Sequence, residues 1–454
     1  RIAVEERARR FDLARPPLLR LLLVRVGVDE WRLAVTLHHL VLDGWSLPLL
    51  LREVWTAYAV GGSAVGLPVV TPYREYAAWL ARQDGEAARD AWRRTLAGVE
   101  EPTLVAPADP ARVPGETANV SAQLSPQRAR DLERLARGAG VTVNTVVQVA
   151  WAVVVGALAG RRDVVFGATV AGRPAELPGM ETMLGLFINT VPVRVRLDGS
   201  CAVAELLGVV QAEQSGLLDH QHLGLSEIQR VAGPGAGFDT LLAFENFPGD
   251  PDVPSSLDAV VVTGAGMRES THFVLALGVD PAELRLRLDY RPDLFDAGRA
   301  ERVVRRVVRV LEQIAADPQV LLSGLDVLDA DERARVLTEW NATEEPVGSA
   351  TVVELVAQWA ARTPDASAVR CGSVELSYAE LDARANRLAR LLRECGVGVE
   401  SRVGLRLPRG VDMVVAILAV WKAGAAYVPL DPEYPAERLA FMAADSGAAL
   451  VIDE

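Results

Sequence analysis

Residues 33–50 read LAVTLHHLVLDGWSLPLL. An apolar run with strand-like alternation meets two adjacent histidines, His38 and His39, then Asp43 and Gly44, then apolar residues at helical spacing. The chain has only five histidines, so two side by side at the edge of an apolar run call for a reason. Just upstream, Leu18 to Val26 is also strand-like, and the turn-forming GVDE separates it from Trp31 to His38. The reading is an antiparallel hairpin whose second, buried strand delivers the histidines into a polar loop. A helix follows at once, with Ser46 placed to cap it.

Outward from this stretch, residues 61–72 are rich in Gly and Pro, and Tyr73 to Leu96 returns to helical periodicity. Residues 100–117, EEPTLVAPADPARVPGET, read as an extended crossover between two lobes. Beyond it come a charged amphipathic helix, a glycine-bounded break and an almost wholly apolar helix ending near Gly160. DVVFGATVAGRP, LFINTVPVRVRL, FDTLLAFENFP and LRLRLDYRPDLF read as strands, with a helix in AVAELLGVVQAEQSGLLDH. The mixture predicts an α/β fold of the layered, α+β kind. A polar stretch near 336–350 reads as a linker, and residues 351–454 return to an α/β pattern. The expected divisions are 1–99, 100–117, 118–335, 336–350 and 351–454.

Half of the 454 residues are apolar, enough for a sizeable core, and the formal charge of −13 disfavours partnership with nucleic acid or anionic membrane. Three scattered cysteines form neither a disulfide framework nor a thiolate cage, which suits a reducing cytoplasm. No stretch approaches the roughly 18 uninterrupted apolar residues of a membrane span, and the first residues lack the apolar core of a signal peptide. The first residue is not methionine and the last strand-like run stops at Glu454, so the chain is expected to be a piece of a longer polypeptide.

A lone buried histidine is ordinarily a satisfied core residue. Here Asp43 follows His39 by four positions, and Gly44 suits a tight turn. A carboxylate buried beside a loop needs a cationic partner, so Asp43 is assigned to shaping the loop and not to proton transfer. A zinc site is disfavoured, because adjacent strand residues point to opposite faces and no Cys or Glu lies at ligand spacing. A serine hydrolase is disfavoured too, for want of a Gly-x-Ser-x-Gly elbow.

HHLVLDG followed by WSLPLL resembles the core motif of nonribosomal peptide synthetase condensation domains, of the chloramphenicol acetyltransferase-like superfamily. TPYREYAAW (71–79), VFGATVAGRP (165–174), LGLFINTVPVR (184–194), DHQHLGLSEIQ (219–229) and FDTLLAFENFP (238–248) are each similar to a further motif of that family, in order. LSYAEL (376–381) and WKAGAAYVPLDPEYP (421–435) resemble the first two motifs of adenylation domains, whose phosphate loop lies beyond the residues given. The resemblance implies two chloramphenicol acetyltransferase-like lobes with a tunnel between them, then the start of an adenylate-forming domain. The family has a further motif upstream, in a part of the first lobe that this sequence does not include.

The resemblance also implies roles for individual residues. His39 orients the acceptor amine and takes its proton, His38 packs, Gly44 supplies an oxyanion N–H, and Asp43 pairs with an arginine of the other lobe, for which Arg173 is the candidate. An imidazole is mostly neutral at cellular pH, as an acceptor must be. Trp45 and Ser46 are candidate channel residues, although Trp45 and Tyr76 also read as core. Asn189 and Asn246 either line the acceptor channel or end strands. No cofactor is bound directly; 4′-phosphopantetheine arrives on upstream and downstream peptidyl carrier domains, and an adenylation domain shares the chain. The order Trp45-Ser46-Leu47 favours condensation over an epimerisation domain, and intact histidines argue against heterocyclisation. A catalytically silent recruitment platform would be expected to carry a damaged motif. LFINTVPVR, HQHLGLSEIQ and FENFP look more like domains taking a D-configured donor than an all-L one.

Overall fold

The computed structural model describes residues 2–107, 109, 116–245, 256–257, 260–264, 266 and 271–453, and divides into two compact units, 1–340 and 341–454.

The first unit opens with α1 (Ile2–Ala8) and the hairpin β1 (Leu19–Arg25) and β2 (Trp31–Leu37), whose register pairs Leu19 with Leu37 and Arg25 with Trp31. The hairpin forms as read, but it is not buried. β1 and β2 pair only with each other, and Leu21 and Leu23 are 65% and 61% exposed. Apolar alternation marks which side chains share a face; it does not supply the layer that would cover them.

Helix α2 (Ser46–Ala59) follows the histidine loop. The helical stretch read over Tyr73 to Leu96 is two helices, α3 (Tyr73–Leu80) and α4 (Gly85–Thr95), because the Asp84 side chain caps a new start by accepting from Glu86 and Ala87 N–H. Part of the crossover, residues 108 and 110–115, lies outside the described residues. Its earlier part is fastened at Thr103, whose N–H donates to Gly237 O (2.9 Å) and whose hydroxyl accepts from Val165 N–H (2.9 Å).

The rest of this unit is built on a six-stranded sheet. Its strands are β3 (Ala118–Gln123), β4 (Asp163–Val170), β5 (Asn189–Arg196), β6 (Thr240–Phe244), β9 (Leu275–Asp280) and β10 (Arg285–Tyr290), with the two-residue strands β7 (Ser256–Leu257) and β8 (Val260–Val261) forming a separate pair. The order is β3-β10-β9-β6-β4-β5, with β4–β6 and β6–β9 parallel and the other pairs antiparallel. β3 and β9 have no counterpart among the strands read from the sequence. Helices α5 (Pro126–Ala139), α6 (Val143–Ala159), α7 (Val203–Gly216) and α9 (Ala297–Ala316) contribute to one continuous core. α6 runs through its middle, with Val146, Val147, Val149, Ala150 and Trp151 fully buried. Thr142 caps its start and Gly160, at φ +66°, its end. A smaller cluster joins α4 and α8 (Leu225–Ala232) to β5 through Trp92, Ile228 and Val191. The short helix α10 (Ala330–Ala334) runs into a helical turn, Arg335–Glu339, so the expected linker begins inside helical backbone.

The second unit holds α11 (Val352–Arg362), the hairpin β11 (Ser367–Cys371) and β12 (Val374–Ser377), α12 (Tyr378–Glu394), and a parallel sheet in the order β14 (Ala426–Pro429), β13 (Arg402–Arg406), β15 (Leu450–Asp453), with α13 (Val411–Lys422) and α14 (Ala436–Asp445). Lys422, the single lysine of the chain, is 11% exposed. Its ammonium donates to Asp382 Oδ1 (2.6 Å) and Asn386 Oδ1 (2.8 Å), tying α13 to α12.

Candidate active site

β2 ends at Leu37, so His38 and His39 stand in a turn and not on a strand. Alternation of strand faces therefore does not separate them; hydrogen bonding does. The His38 N–H donates to Leu18 O (2.9 Å), closing the hairpin. His38 Nδ1 accepts from Leu40 N–H (3.1 Å), and the ring meets Phe11 edge to face at 6.1 Å. That bond assigns the ring proton of a neutral His38 to Nε2. His39 is exposed, and its imidazole makes no hydrogen bond among the described residues.

Asp43 turns the loop inward. Its Oδ1 accepts from Ser46 N–H (2.8 Å) and its Oδ2 from Phe187 N–H (3.0 Å), while its own N–H donates to Gly185 O (3.1 Å). Asp43, not Ser46, thus satisfies an opening N–H of α2. The Ser46 hydroxyl points elsewhere: it donates to Gly185 O (2.9 Å) and accepts from Gly185 N–H (3.1 Å) and Arg173 Nη2 (3.0 Å). Ser46 is fully buried, which removes it from any substrate channel. The Gly44 N–H, between these anchors, has no acceptor among the described residues. Trp45 is half-buried and donates from Nε1 to Glu181 O (3.4 Å).

Arg173 lies at the centre. Its Nη2 is 3.4 Å from Asp43 Oδ1, with the two side chains 6% and 0% exposed, and Nη1 donates to the Met180 and Met183 carbonyls. The guanidinium sits 4.1 Å from the Phe187 ring centroid and 5.3 Å from that of Trp45. Burial lowers the Arg173 pKa from its ordinary value, and Asp43 opposes that shift. Burial raises the Tyr73 and Tyr76 hydroxyls, and the Asp43 charge pushes both the same way.

Two glycines make the close approach of segment 172–187 feasible. At Gly172, φ +59°, a Cβ would lie 1.8 Å from Phe187 O; at Gly185 it would lie 2.3 Å from the Tyr73 ring. Tyr73 covers this backbone and donates to Leu186 O (2.8 Å), and Tyr76 packs with Met180, Met183 and Phe187 in a small core of their own. Residue pattern does not single out Tyr73, Gly185 and Phe187 as site residues, although they stand inside TPYREYAAW and LGLFINTVPVR.

Asn189 opens β5, and both of its amide protons are spent on Gln221 O (2.9 Å) and Leu223 O (2.7 Å). It fastens the 218–223 segment to the start of β5. Asn246 lies outside the described residues. Among the described residues no group of three or more His, Cys, Asp or Glu side chains is arranged to hold a metal, and no single helix is long and apolar enough to cross a membrane.

The fold is a mixed sheet flanked by helices, and the site is an exposed imidazole on a loop that a buried ion pair anchors to another segment. The condensation domain family model matches residues 1–337 and the AMP-binding enzyme model residues 356–454. One of the linear gramicidin synthase proteins of Brevibacillus parabrevis is 38% identical, over 99% of this chain and 6% of that protein. Bacitracin synthase 3 of Bacillus licheniformis is 35% identical, over 100% of this chain and 7% of its own length, so the chain spans a small part of the relatives it matches. Holo-AB3403, a four-domain nonribosomal peptide synthetase bound to AMP and glycine, matches with a TM-score of 0.74 and 25% identity over 97% of this chain and 35% of its own. The nonribosomal peptide synthetase FmoA3 in its AMPPNP-bound form shares the fold, with a TM-score of 0.80 and 24% identity over 99% of this chain and 49% of its own. The chain belongs to the condensation-domain family, the amide-forming acyltransferases of nonribosomal peptide synthetases, and it continues into the beginning of an AMP-binding domain.

Proposed function

We propose that this chain is the amide-forming section of a larger nonribosomal peptide synthetase, joining a donor acyl thioester to the amine of an acceptor aminoacyl thioester. Both would arrive on the phosphopantetheine arms of peptidyl carrier domains, in the cytoplasm, where the three free cysteines suit reducing conditions. The observation that carries the reading is the unbonded, exposed His39 imidazole on the same loop as the free Gly44 N–H, a loop that Asp43 and Arg173 hold down.

The chemistry asks little of the protein. The acceptor α-amine, with an ordinary pKa of about 7.7–8, attacks a thioester carbonyl that is already activated. The C–N bond forms, the C–S bond breaks, and the thiolate leaves with the upstream carrier. His39 orients the amine and accepts its proton as the tetrahedral centre collapses; Gly44 N–H donates to the developing oxyanion. Asp43 and Arg173 stay out of the proton transfer and keep the loop in register.

The donor is assigned as D-configured at its terminal residue, on the sequences of 186–194, 220–229 and 244–248. The test supplies the synthetase with matched carriers differing only in that configuration and measures amide product by mass spectrometry. Faster transfer of the D-terminal donor, lost in H39A with the fold retained, supports both assignments. Equal rates or an L preference overturns the stereochemical one alone. Inversion of a carrier-bound residue without amide formation would point to an epimerisation domain, and wild-type transfer by H39A would remove His39 from the chemistry.

A further inference from the structure

Ser46 has the most completely used hydroxyl in this region. A serine hydroxyl offers one donor and two acceptor sites. All three are taken, by Gly185 O, Gly185 N–H and Arg173 Nη2. Capping does not explain it, since Asp43 holds the Ser46 N–H. Nor does packing of the α2 face, because the partner is a backbone 139 residues away.

Gly185 O is gripped twice, by Asp43 N–H and by the Ser46 hydroxyl. These two residues flank Gly44 and Trp45, so the turn that carries the free Gly44 N–H is bolted at both ends to one residue's backbone. Gly185 itself cannot shift toward Tyr73, whose ring already lies where a Cβ would stand. We propose that Ser46 is a positioning residue for acyl transfer, fixing the direction of the Gly44 N–H by clamping the 43–46 turn to Gly185. This role rests on the amide-forming reading of the site.

Removing the hydroxyl leaves the Asp43 anchors in place, namely Gly185 O, Phe187 N–H and Arg173. Residue 46 keeps its N–H on Asp43 Oδ1 and loses only its link to Gly185 and Arg173, so the effect should fall on the rate and not on binding. An oxyanion donor that is present but loosely aimed costs about 10- to 100-fold in rate.

The test compares S46A with wild type in the synthetase carrying this chain, with loaded donor and acceptor carriers and rates expressed per folded molecule. The expected result is a kcat lower by about 10- to 100-fold, an acceptor KM within about two-fold, and an unmoved pH profile, since His39 is untouched. A second variant, G185A, keeps the hydroxyl but drives the gripped backbone against Tyr73; it should give the same kcat-only loss, and S46A/G185A should lose less than the product of the two. Hydrogen exchange on the protein itself should speed up at residues 43–47 in S46A while α6 stays protected. Wild-type kcat in S46A, or exchange rising equally in α6, overturns the clamp. A wild type that makes no amide overturns the underlying reading and the clamp's catalytic role with it.

Discussion

The Asp43–Arg173 pair gives the sharpest energetic prediction. The two side chains are 0% and 6% exposed, and the 3.4 Å contact is one of several bonds each makes. D43N deletes the charge but keeps an oxygen for Ser46 N–H, leaving the guanidinium buried with only neutral acceptors at Met180, Met183 and Ser46. R173M deletes the cation with little loss of volume and leaves Asp43 held by two N–H groups. Breaking a buried pair from one side costs about 3–5 kcal/mol, because the remaining charge stays desolvated. At roughly 2 °C per kcal/mol for a domain of this size, D43N should lower the unfolding midpoint of the first unit by about 6–10 °C. R173M should cost less, since two amide donors still solvate the carboxylate. The double variant removes both charges, and its loss should fall short of the summed single losses by more than about 1.5 kcal/mol. Calorimetry on all four proteins measures the cycle. Additivity within about 0.5 kcal/mol would show that the contact is incidental and that the neutral hydrogen bonds alone hold the loop.

Two further outcomes can be checked on the protein itself. Burial raises the Cys201 thiol pKa, assisted by a hydrogen bond with Glu205, whereas Cys371 and Cys395 are exposed; a thiol reagent near neutral pH should label Cys201 about ten-fold more slowly than the other two, and equal rates would contradict the burial argument. Glu354 and Glu380 are held below the ordinary 4.5 by hydrogen bonds from the backbone N–H groups of Thr351 and Ser377 and, second, from their hydroxyls. Their folded pKa values lie below the unfolded ones, so this stabilisation is complete above pH 4.5 and is lost as pH falls through the lowered values. E354Q and E380Q should flatten that acid loss in the second unit's transition, and an unchanged acid limb would refute it.

The hairpin from Leu18 to His38 and the buried helix α6 are readable in the sequence because each carries its own signal: alternation around GVDE in one, a glycine-bounded, almost wholly apolar run ending near Gly160 in the other. Where the sequence misleads, partners far along the chain decide the outcome. Ser46 looks like a helix cap until Gly185 and Arg173 arrive to use its hydroxyl. β3, ANVSAQ, has a weak strand pattern and is extended because β10 pairs with it. Only family resemblance points to the Asp43–Arg173 contact; nothing local to either residue specifies a partner 130 positions away. The acceptors that complete the Arg173 site are main-chain carbonyls, which leave no mark on residue identity.

The single lysine bears on the acyl chemistry proposed for this chain. Thioesters acylate neutral primary amines, and guanidinium groups are far poorer nucleophiles. Every other basic side chain among the 47 is arginine, and Lys422 is sequestered as an ammonium against Asp382 and Asn386. The chain therefore offers an activated acyl group no exposed side-chain amine to stray to, and amine-directed labels or cross-linkers have no lysine foothold on its native surface.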